Sequence, residues 1–203
     1  GDREVLRPGL AGDESRPGGI EDDGVPGVEG EATELERVDE GRTGGIQLGN
    51  KGIATAAGCQ LAATCDMVVA SDHARFGVNG VNIGLFCSTP IVALSRKIPQ
   101  GAAFELAATG EFLSATRAQT LGLANRVTSA EDLSAQTMTL AQTLAQKLPA
   151  ALSIGKAAFA AQTGLPLDQA YAAAGSAMVD NLLNSDTSEG ITAFLEKRPP
   201  NWA

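Results

Sequence analysis

The residues best suited to chemistry lie in the stretch GIATAAGCQLAATCD, residues 52–66. Its side chains from Ala54 to Gly58 are small, so a second backbone or a ligand can approach the chain closely. Ala56, Ala57 and Gly58 are predicted to form the first turn of a helix, where free backbone N–H groups attract negative charge. An N–H group held there can stabilise an oxyanion by about 3–4 kcal/mol in a dry site. The same pattern also fits a small-residue helix packed on a sheet, and the residues alone favour that second interpretation.

Few other side chains in the sequence could carry catalysis or hold a metal. The single histidine, His73, follows Asp72 at a predicted strand end and is expected to be a surface residue, so a Ser-His-Asp triad or a His-rich metal site is not predicted. Cys59, Cys65 and Cys87 are expected to be reduced thiols that fill the core. Cys87 precedes a predicted helix, where a thiol pKa can fall, so it is a candidate nucleophile against the default of a buried thiol.

Composition excludes two classes of partner. The 203 residues carry a formal net charge of −9, and nucleic acid or an anionic membrane surface requires a basic face. No apolar run reaches the roughly 18 residues that cross a bilayer. We therefore expect neither nucleic acid nor membrane as a partner, and a cytoplasmic location, with mitochondria as the alternative.

The chain changes character near residue 50. Residues 1–50 are acidic and rich in Gly and Pro, and they contain no lysine, aromatic residue or cysteine. They show neither a helical nor a strand-like apolar period, so burial cannot offset the entropy of ordering them. We expect this segment to be disordered, or to be the product of out-of-frame translation, and the ordered domain to span residues 51–203.

Residues 51–203 read as an α/β domain that ends in a helical tail. DMVVAS (66–71) and ARFG (74–77) are predicted strands. Gly110 and Gly122 are predicted to end two helices, and Ser114 is predicted to cap the helix between them. The tail, about 130–203, contains a long amphipathic helix that begins near Ser129, a second one through LPLDQAYAAAGSAMVDNLL, and a final one through SEGITAFLEKR.

Several of these segments resemble the crotonase superfamily, whose best-known members are the enoyl-CoA hydratases. In that family a pattern G-x-A-x-G-G-G-x-E-L-x-x-x-C-D opens a helix. The positions of the pattern that this chain matches are Gly52, Ala54, Gly58, Leu61, Cys65 and Asp66. The similarity continues through ARFGVNGVNIGLF, ELAATGEFLSATRAQTLGLANRV and EGITAFLEKRPPNW, and it covers about residues 50–203.

The resemblance implies a truncated ββα spiral with a helical C-terminal region that forms trimers or dimers of trimers. It implies acyl-CoA thioesters as ligands, with no cofactor beyond the coenzyme A of the substrate. The backbone N–H of Ala57 matches the second donor of the oxyanion hole. The substrate-binding positions that the resemblance implies are Ala54, Gly58, Gln60, Gly80, Phe194 and Lys197. Phe194 and Lys197 match positions that hold the CoA nucleotide, although a core phenylalanine and a solvated lysine fit equally well.

Two departures from the family weaken the expectation of hydratase activity. Gln60 and Gly80 stand where the hydratases carry two glutamates, and neither residue can accept a proton at neutral pH. The loop of the form F-x-A-G-x-D that supplies the first oxyanion N–H is not found in residues 1–50, and the strand that precedes Gly52 is expected to be missing. Three interpretations remain: an acyl-CoA enzyme with weak or absent hydratase chemistry, a non-catalytic acyl-CoA-binding or scaffold member, and an inactive fragment.

Overall fold

Short strands alternate between two small sheets. The computed structural model describes residues 47–202. The strands within this range are β1 (Gln47–Asn50), β2 (Ile53–Thr55), β3 (Met67–Ser71), β4 (Arg75–Gly77), β5 (Phe112–Ser114) and β6 (Arg126–Thr128). One sheet has the parallel order β1-β3-β6. The other has the order β2-β4-β5, in which β2 and β4 are parallel and β5 is antiparallel.

The helices follow pairs of strands and then form a tail. They are α1 (Ala57–Thr64), α2 (Ser88–Lys97), α3 (Gln100–Thr109), α4 (Ala115–Leu121), α5 (Leu133–Ala145), α6 (Pro149–Gln162), α7 (Leu167–Leu182) and α8 (Ser185–Glu196). A 3₁₀ turn at Asn79–Ile83 lies between β4 and α2. In each of the first two units, one strand joins the first sheet and the next joins the second, before a helix. This is the ββα spiral that the resemblance implies, and the fold class is confirmed.

The register of the parallel strands explains why both units place their helices at one edge. Gln47 pairs with Met67 in the first sheet, and Thr55 pairs with Gly77 in the second. Parallel strands present their carboxyl ends at the same edge, so α1 after β2 and the 3₁₀ turn after β4 start side by side. The core below them is apolar, with Val68, Phe76 and Leu94 fully buried. Small buried alanines and Cys59 let α1 pack closely on this core.

Several local predictions are confirmed. β3 and β4 fall within the two predicted strand segments. Gly110 and Gly122 end α3 and α4 in the left-handed conformation, with φ of 68° and 87°. The Ser114 side chain accepts a hydrogen bond from the N–H of Arg117 and so caps α4.

Two predictions about the chain are wrong. Residues 47–50, placed in the disordered segment, form β1, so the strand before Gly52 is present and pairs with β3. Residues 1–46, for which disorder or out-of-frame translation was predicted, lie outside the described residues. The tail has one more helix than predicted, α6 at Pro149–Gln162, between α5 and α7. None of its residues is fully buried, and its sequence shows no clear apolar stripe from which the helix could have been predicted.

Candidate functional site

The turn between β2 and α1 has an unusual backbone. Ala56, its N-cap residue, has φ 47° and ψ −113°, a conformation that a side chain with a Cβ avoids. Its N–H donates to the Gly77 carbonyl at 3.0 Å, and its carbonyl accepts from the Gln60 N–H at 3.0 Å. Such a conformation costs about 1–3 kcal/mol and persists only where the surroundings enforce it. These two hydrogen bonds are what hold the Ala56 peptide in place.

The strained turn presents backbone donors at the surface. Ala57 and Gly58 are the first two residues of α1, and their N–H groups have no carbonyl one turn earlier to bond to. Ala57 is exposed and Gly58 half-buried, whereas Ala54, at the middle of β2, is buried beneath them. The predicted first turn is therefore confirmed, except that the helix begins at Ala57 and Ala56 only leads into it. The arrangement can hold an oxyanion against the end of α1.

A second segment lies beside this turn. The hydroxyl of Thr55, at the end of β2, donates to Oδ1 of Asn79 at 2.8 Å. This hydrogen bond ties the entry to α1 to the 3₁₀ turn that contains Gly80. The structure therefore brings Ala57 and Gly80 to the same edge of the second sheet.

Gly80 is closely covered from the other side of its own loop. A Cβ atom at this position would lie 2.5 Å from the Leu85 carbonyl oxygen and 2.7 Å from Sγ of Cys87. Real Cβ atoms do not approach backbone this closely, so any side chain here requires the segment after the 3₁₀ turn to move. Gly80 therefore does more than lack a carboxylate. The space that the Cβ atom of a glutamate would need is already filled.

Neither Gln60 nor Cys59 offers a proton acceptor beside the turn. Gln60 is half-buried in the first turns of α1, and its amide can hydrogen-bond a ligand without taking a proton. Burial raises the pKa of Cys59 to about 12, so this thiol stays neutral and inert. Cys87 is half-buried and directly precedes α2, as predicted, and its sulfur packs towards Gly80.

Phe194 and Lys197 lie in a different part of the fold, on α8, which packs on α7. Phe194 is 81% exposed, so the interpretation as a core residue does not hold within this chain. Lys197 is also exposed, and it ends α8 in the left-handed conformation with φ 57°.

The remaining sequence candidates do not form a site. The His73 side chain is 82% exposed and lies 3.6 Å from Asp72, as expected of a surface residue. Among residues 47–202, no three His, Cys, Asp or Glu side chains are grouped as metal ligands would be. No helix in the same range has both the length and the apolar character that crossing a bilayer demands.

Sequence reasoning overlooked a set of contacts around the end of α8. Arg198 binds Glu189 through two hydrogen bonds and Glu196 through a third. Trp202 reaches back to the carbonyl of Gln146. The charged residues could be seen in EGITAFLEKRPPNW, where Arg198 follows Glu189 by nine residues and Glu196 by two. Their contacts could not, because the folded-back tail requires the backbone reversal at Lys197.

Residues 50–203 match the family model described as enoyl-CoA hydratase/isomerase. The chain belongs to this family. It is 49% identical over 152 residues to mouse enoyl-CoA hydratase domain-containing protein 3, mitochondrial, a match that covers 75% of this chain and 51% of the relative. The chain therefore spans about half the length of the curated relatives that it matches.

Solved structures of the enoyl-CoA hydratase/isomerase family agree with the fold. The crystal structure of human enoyl-CoA hydratase domain-containing protein 3 is 49% identical, with a TM-score of 0.72 over 74% of this chain and 59% of that one. An enoyl-CoA hydratase from Mycobacterium smegmatis is 48% identical, with a TM-score of 0.73 over 77% of this chain and 60% of that one. The crotonase-like resemblance seen in the sequence is confirmed.

Proposed function

We propose that this chain binds acyl-CoA thioesters and polarises the thioester carbonyl with the backbone N–H of Ala57. The observation that carries the proposal is the strained Ala56 peptide, which two hydrogen bonds hold so that the start of α1 faces solvent. A carbonyl oxygen that gains negative charge is stabilised there by the free N–H groups and by the helix dipole. Ala54 and Gly58 provide the close approach that such a ligand requires.

We further propose that the usual hydration of 2-enoyl-CoA is absent or very slow. Hydration needs groups that accept and donate protons beside the polarised thioester. Gln60 cannot act as a base, and at Gly80 the Leu85 carbonyl and the Cys87 sulfur occupy the space next to the backbone. We therefore expect the site to bind a thioester and polarise its carbonyl without hydrating the substrate.

The helical tail supports self-association as a homotrimer or a dimer of trimers. Helices α6, α7 and α8 expose large apolar side chains, among them Phe159 at 75%, Tyr171 at 73% and Phe194 at 81%. A groove of about 480 Å³ runs between α6 and α7, and its lining comprises Phe159, Gln162, Leu167, Tyr171 and four glycine or alanine residues. Apolar surface of this extent marks a contact with another chain. Light scattering coupled to size exclusion tests the state directly.

The compartment that we propose is the mitochondrion, the alternative to the cytoplasmic location expected from the sequence. The names of several relatives, including the human one at 49% identity, place those proteins in mitochondria. Subcellular fractionation of the endogenous protein, with a matrix marker and a cytosolic marker, distinguishes the two locations.

The decisive experiment uses acetoacetyl-CoA, whose enolate absorbs in the near ultraviolet. Donors aimed at the thioester oxygen favour the enolate, so the protein should lower the pH at which that absorbance appears. Ala57→Pro removes the donor and should weaken enolate stabilisation by about 10²–10³-fold. Because proline also restricts the backbone of the preceding Ala56, thermal unfolding must show that the variant remains folded. Gln100→Pro, at the first position of α3 and also exposed, is the matched control. A wild-type protein that leaves the enolate spectrum unchanged contradicts the proposal.

A non-catalytic acyl-CoA-binding or scaffold role is the second candidate, and the covered Gly80 favours it. Such a protein binds CoA thioesters and stabilises the enolate without releasing any product. Product analysis with several acyl-CoA thioesters separates it from an enzyme. An inactive fragment, the third interpretation, binds no CoA thioester at all in calorimetry.

A further inference from the structure

The third strand of the second sheet starts beside the candidate site. Strand β5 runs antiparallel to β4, so its first residues meet the carboxyl ends of β2 and β4. In this row Thr55 pairs with Gly77, and Gly77 pairs with Phe112. The Ala56 N–H, at the entrance to α1, donates to the carbonyl of the same Gly77 at 3.0 Å. The residue just before β5, Glu111, therefore lies at the same sheet edge as the turn between β2 and α1.

Both neighbours of Glu111 are tied to this edge. The Asn82 amide, in the 3₁₀ turn, donates to the Gly110 carbonyl at 3.5 Å. On the other side, the Phe112 ring covers Gly77 so closely that a Cβ there would lie 2.6 Å from the ring. These contacts fix the backbone on either side of Glu111, so the fold sets the position of this residue relative to the 3₁₀ turn.

The Glu111 side chain is exposed, and its carboxylate is not engaged elsewhere. Side chains alternate along a strand, so Glu111 shares a face with Leu113 rather than with Phe112. Leu113 packs on the apolar core to which Cys59 of α1 belongs. Within residues 47–202, no ion pair or hydrogen bond occupies the Glu111 carboxylate. This carboxylate is therefore available to a ligand held at the start of α1.

The separation between Glu111 and the donor of α1 suits a thioester. Neighbouring strands in a sheet are about 4.8 Å apart, so β2 and β5 are separated by about 10 Å. A thioester oxygen held by the Ala57 N–H requires a contact of about 3 Å, and a base approaches its proton donor to a similar distance. The thioester group and an extended glutamate side chain fill the remaining space. The carboxylate can therefore reach the carbon next to the polarised carbonyl.

We propose that Glu111 is a catalytic residue that removes a proton from the α-carbon of a bound acyl-CoA thioester. The inference rests on the proposed binding of the thioester at Ala57. The α C–H bond breaks, its proton passes to a Glu111 carboxylate oxygen, and its electron pair forms an enolate. The Ala57 N–H stabilises the oxygen of that enolate. Return of a proton to the α-carbon completes the cycle without an oxidant or a second substrate.

This activity is compatible with the loss of hydration. Exchange of an α-proton needs one base and one stabilised enolate, whereas hydration also needs a group that activates water. Glu111 supplies a base from β5 and leaves the positions of Gln60 and Gly80 without an acid–base group. We therefore expect exchange of the α-proton with solvent and no hydrated product.

The test measures deuterium incorporation into butyryl-CoA in D₂O by NMR, with the 203-residue chain as catalyst. The wild-type protein should label the α-carbon faster than buffer alone. Glu111→Gln should slow labelling by about 10²–10⁴-fold, the contribution of one acid–base group, and should retain the acetoacetyl-CoA enolate signal. Glu105→Gln removes another exposed glutamate, from α3, and is the matched control, which should label at the wild-type rate.

A shorter carboxylate separates catalysis from a structural role. Glu111→Asp keeps the base but draws it back from the ligand, so labelling should fall less than in Glu111→Gln. Equal losses in the two variants overturn the inference, as does labelling at the wild-type rate in Glu111→Gln. Calorimetry with butyryl-CoA shows whether each variant still binds. A Glu111→Gln protein that loses binding together with labelling also contradicts a catalytic role.

Failure of this inference is distinct from failure of the proposed function. A wild-type protein that shifts the acetoacetyl-CoA enolate but labels butyryl-CoA no faster than buffer retains the Ala57 site and rules out Glu111 as its base. A wild-type protein that neither shifts the enolate nor labels butyryl-CoA overturns both proposals.

Discussion

Ala56 and Lys197 are the two non-glycine residues with positive φ among residues 47–202, and they lie in the two regions implicated in ligand binding. At the start of α1 the side chain is a methyl group, and the product of the strain is an oriented backbone N–H. At the end of α8 the strained residue carries a long cationic side chain, which is exposed. The first region can therefore tolerate changes of side chain that the second cannot.

This difference accounts for the sequence of the first region. Gln60 and Gly80 lack acid–base function, while the backbone geometry around Ala57 is complete. The end of α8 depends instead on its side chains. Arg198 binds Glu189, Trp202 binds a carbonyl at the end of α5, and Lys197 occupies the turn between them. The geometry proposed for binding is thus complete at the start of α1, whereas neither Gln60 nor Gly80 can transfer a proton there.

The largest expected effect concerns hydration. Each well-placed acid–base group contributes about 10²–10⁴-fold, so the wild-type protein should hydrate a straight-chain 2-enoyl-CoA at least about 10⁴-fold more slowly than a family member with both glutamates. Loss of the enoyl thioester absorbance measures the rate. A turnover in the ordinary range of the family would remove the distinction between retained binding and lost proton transfer.

Restoring a glutamate at position 80 should harm the protein rather than repair it. Gly80→Glu places a Cβ against the Leu85 carbonyl and should destabilise the fold by about 1–3 kcal/mol. Thermal or urea unfolding measures the change, and Cys87→Gly should relieve only the part that is due to sulfur. Gly101→Ala, in α3 with no atom near the new methyl group, is the control and should be neutral or slightly stabilising.

Glycine at each strained residue separates the two regions most directly. Ala56→Gly should stabilise the protein by about 1 kcal/mol, the relief of strain less the added entropy of the unfolded chain, and keep the enolate signal. Lys197→Gly should also be neutral or stabilising and yet weaken CoA binding. Chemical denaturation and calorimetry on the same samples provide both values. If Ala56→Gly lost the enolate signal, the methyl group itself would be part of the site.

The smallest effect is a pH dependence at the ion pair between Glu189 and Arg198. The pKa of Glu189 is lowered to about 2 from an ordinary value of 4.5, so its stabilising effect is complete above about pH 4.5 and is lost as the pH falls towards 2. The difference in melting temperature between wild type and Glu189→Gln should therefore shrink over this acidic range. A constant difference between pH 5 and pH 2.5 would show that the charge of Glu189 does not stabilise the end of α8.

The sequence predicted the features that depend on near neighbours. Each of these features depends on residues within one helical turn of each other. They are the helix ends at Gly110 and Gly122, the N-cap at Ser114 and the start of α1. β1 was missed because a strand of four residues that includes Gly49 owes its existence to pairing with β3, about twenty residues later. Helix α6 was missed because its packing leaves no buried stripe.

The candidate site likewise combines features set by near neighbours with features set by distant parts of the chain. The small residues and the lost carboxylates could be read from the chain, but the positive φ of Ala56 could not, since alanine normally avoids that conformation. It arises from the hydrogen bond to Gly77, which belongs to a neighbouring strand. The covering of Gly80 likewise depends on a loop that returns five to seven residues later.

The covered Gly80 has an evolutionary consequence. A glutamate acquired there by a single mutation meets the Leu85 carbonyl and the Cys87 sulfur before it can reach any ligand. The 83–87 segment would have to change first, and that change brings no catalytic benefit by itself. The effect of a glutamate at position 80 therefore depends epistatically on the 83–87 segment.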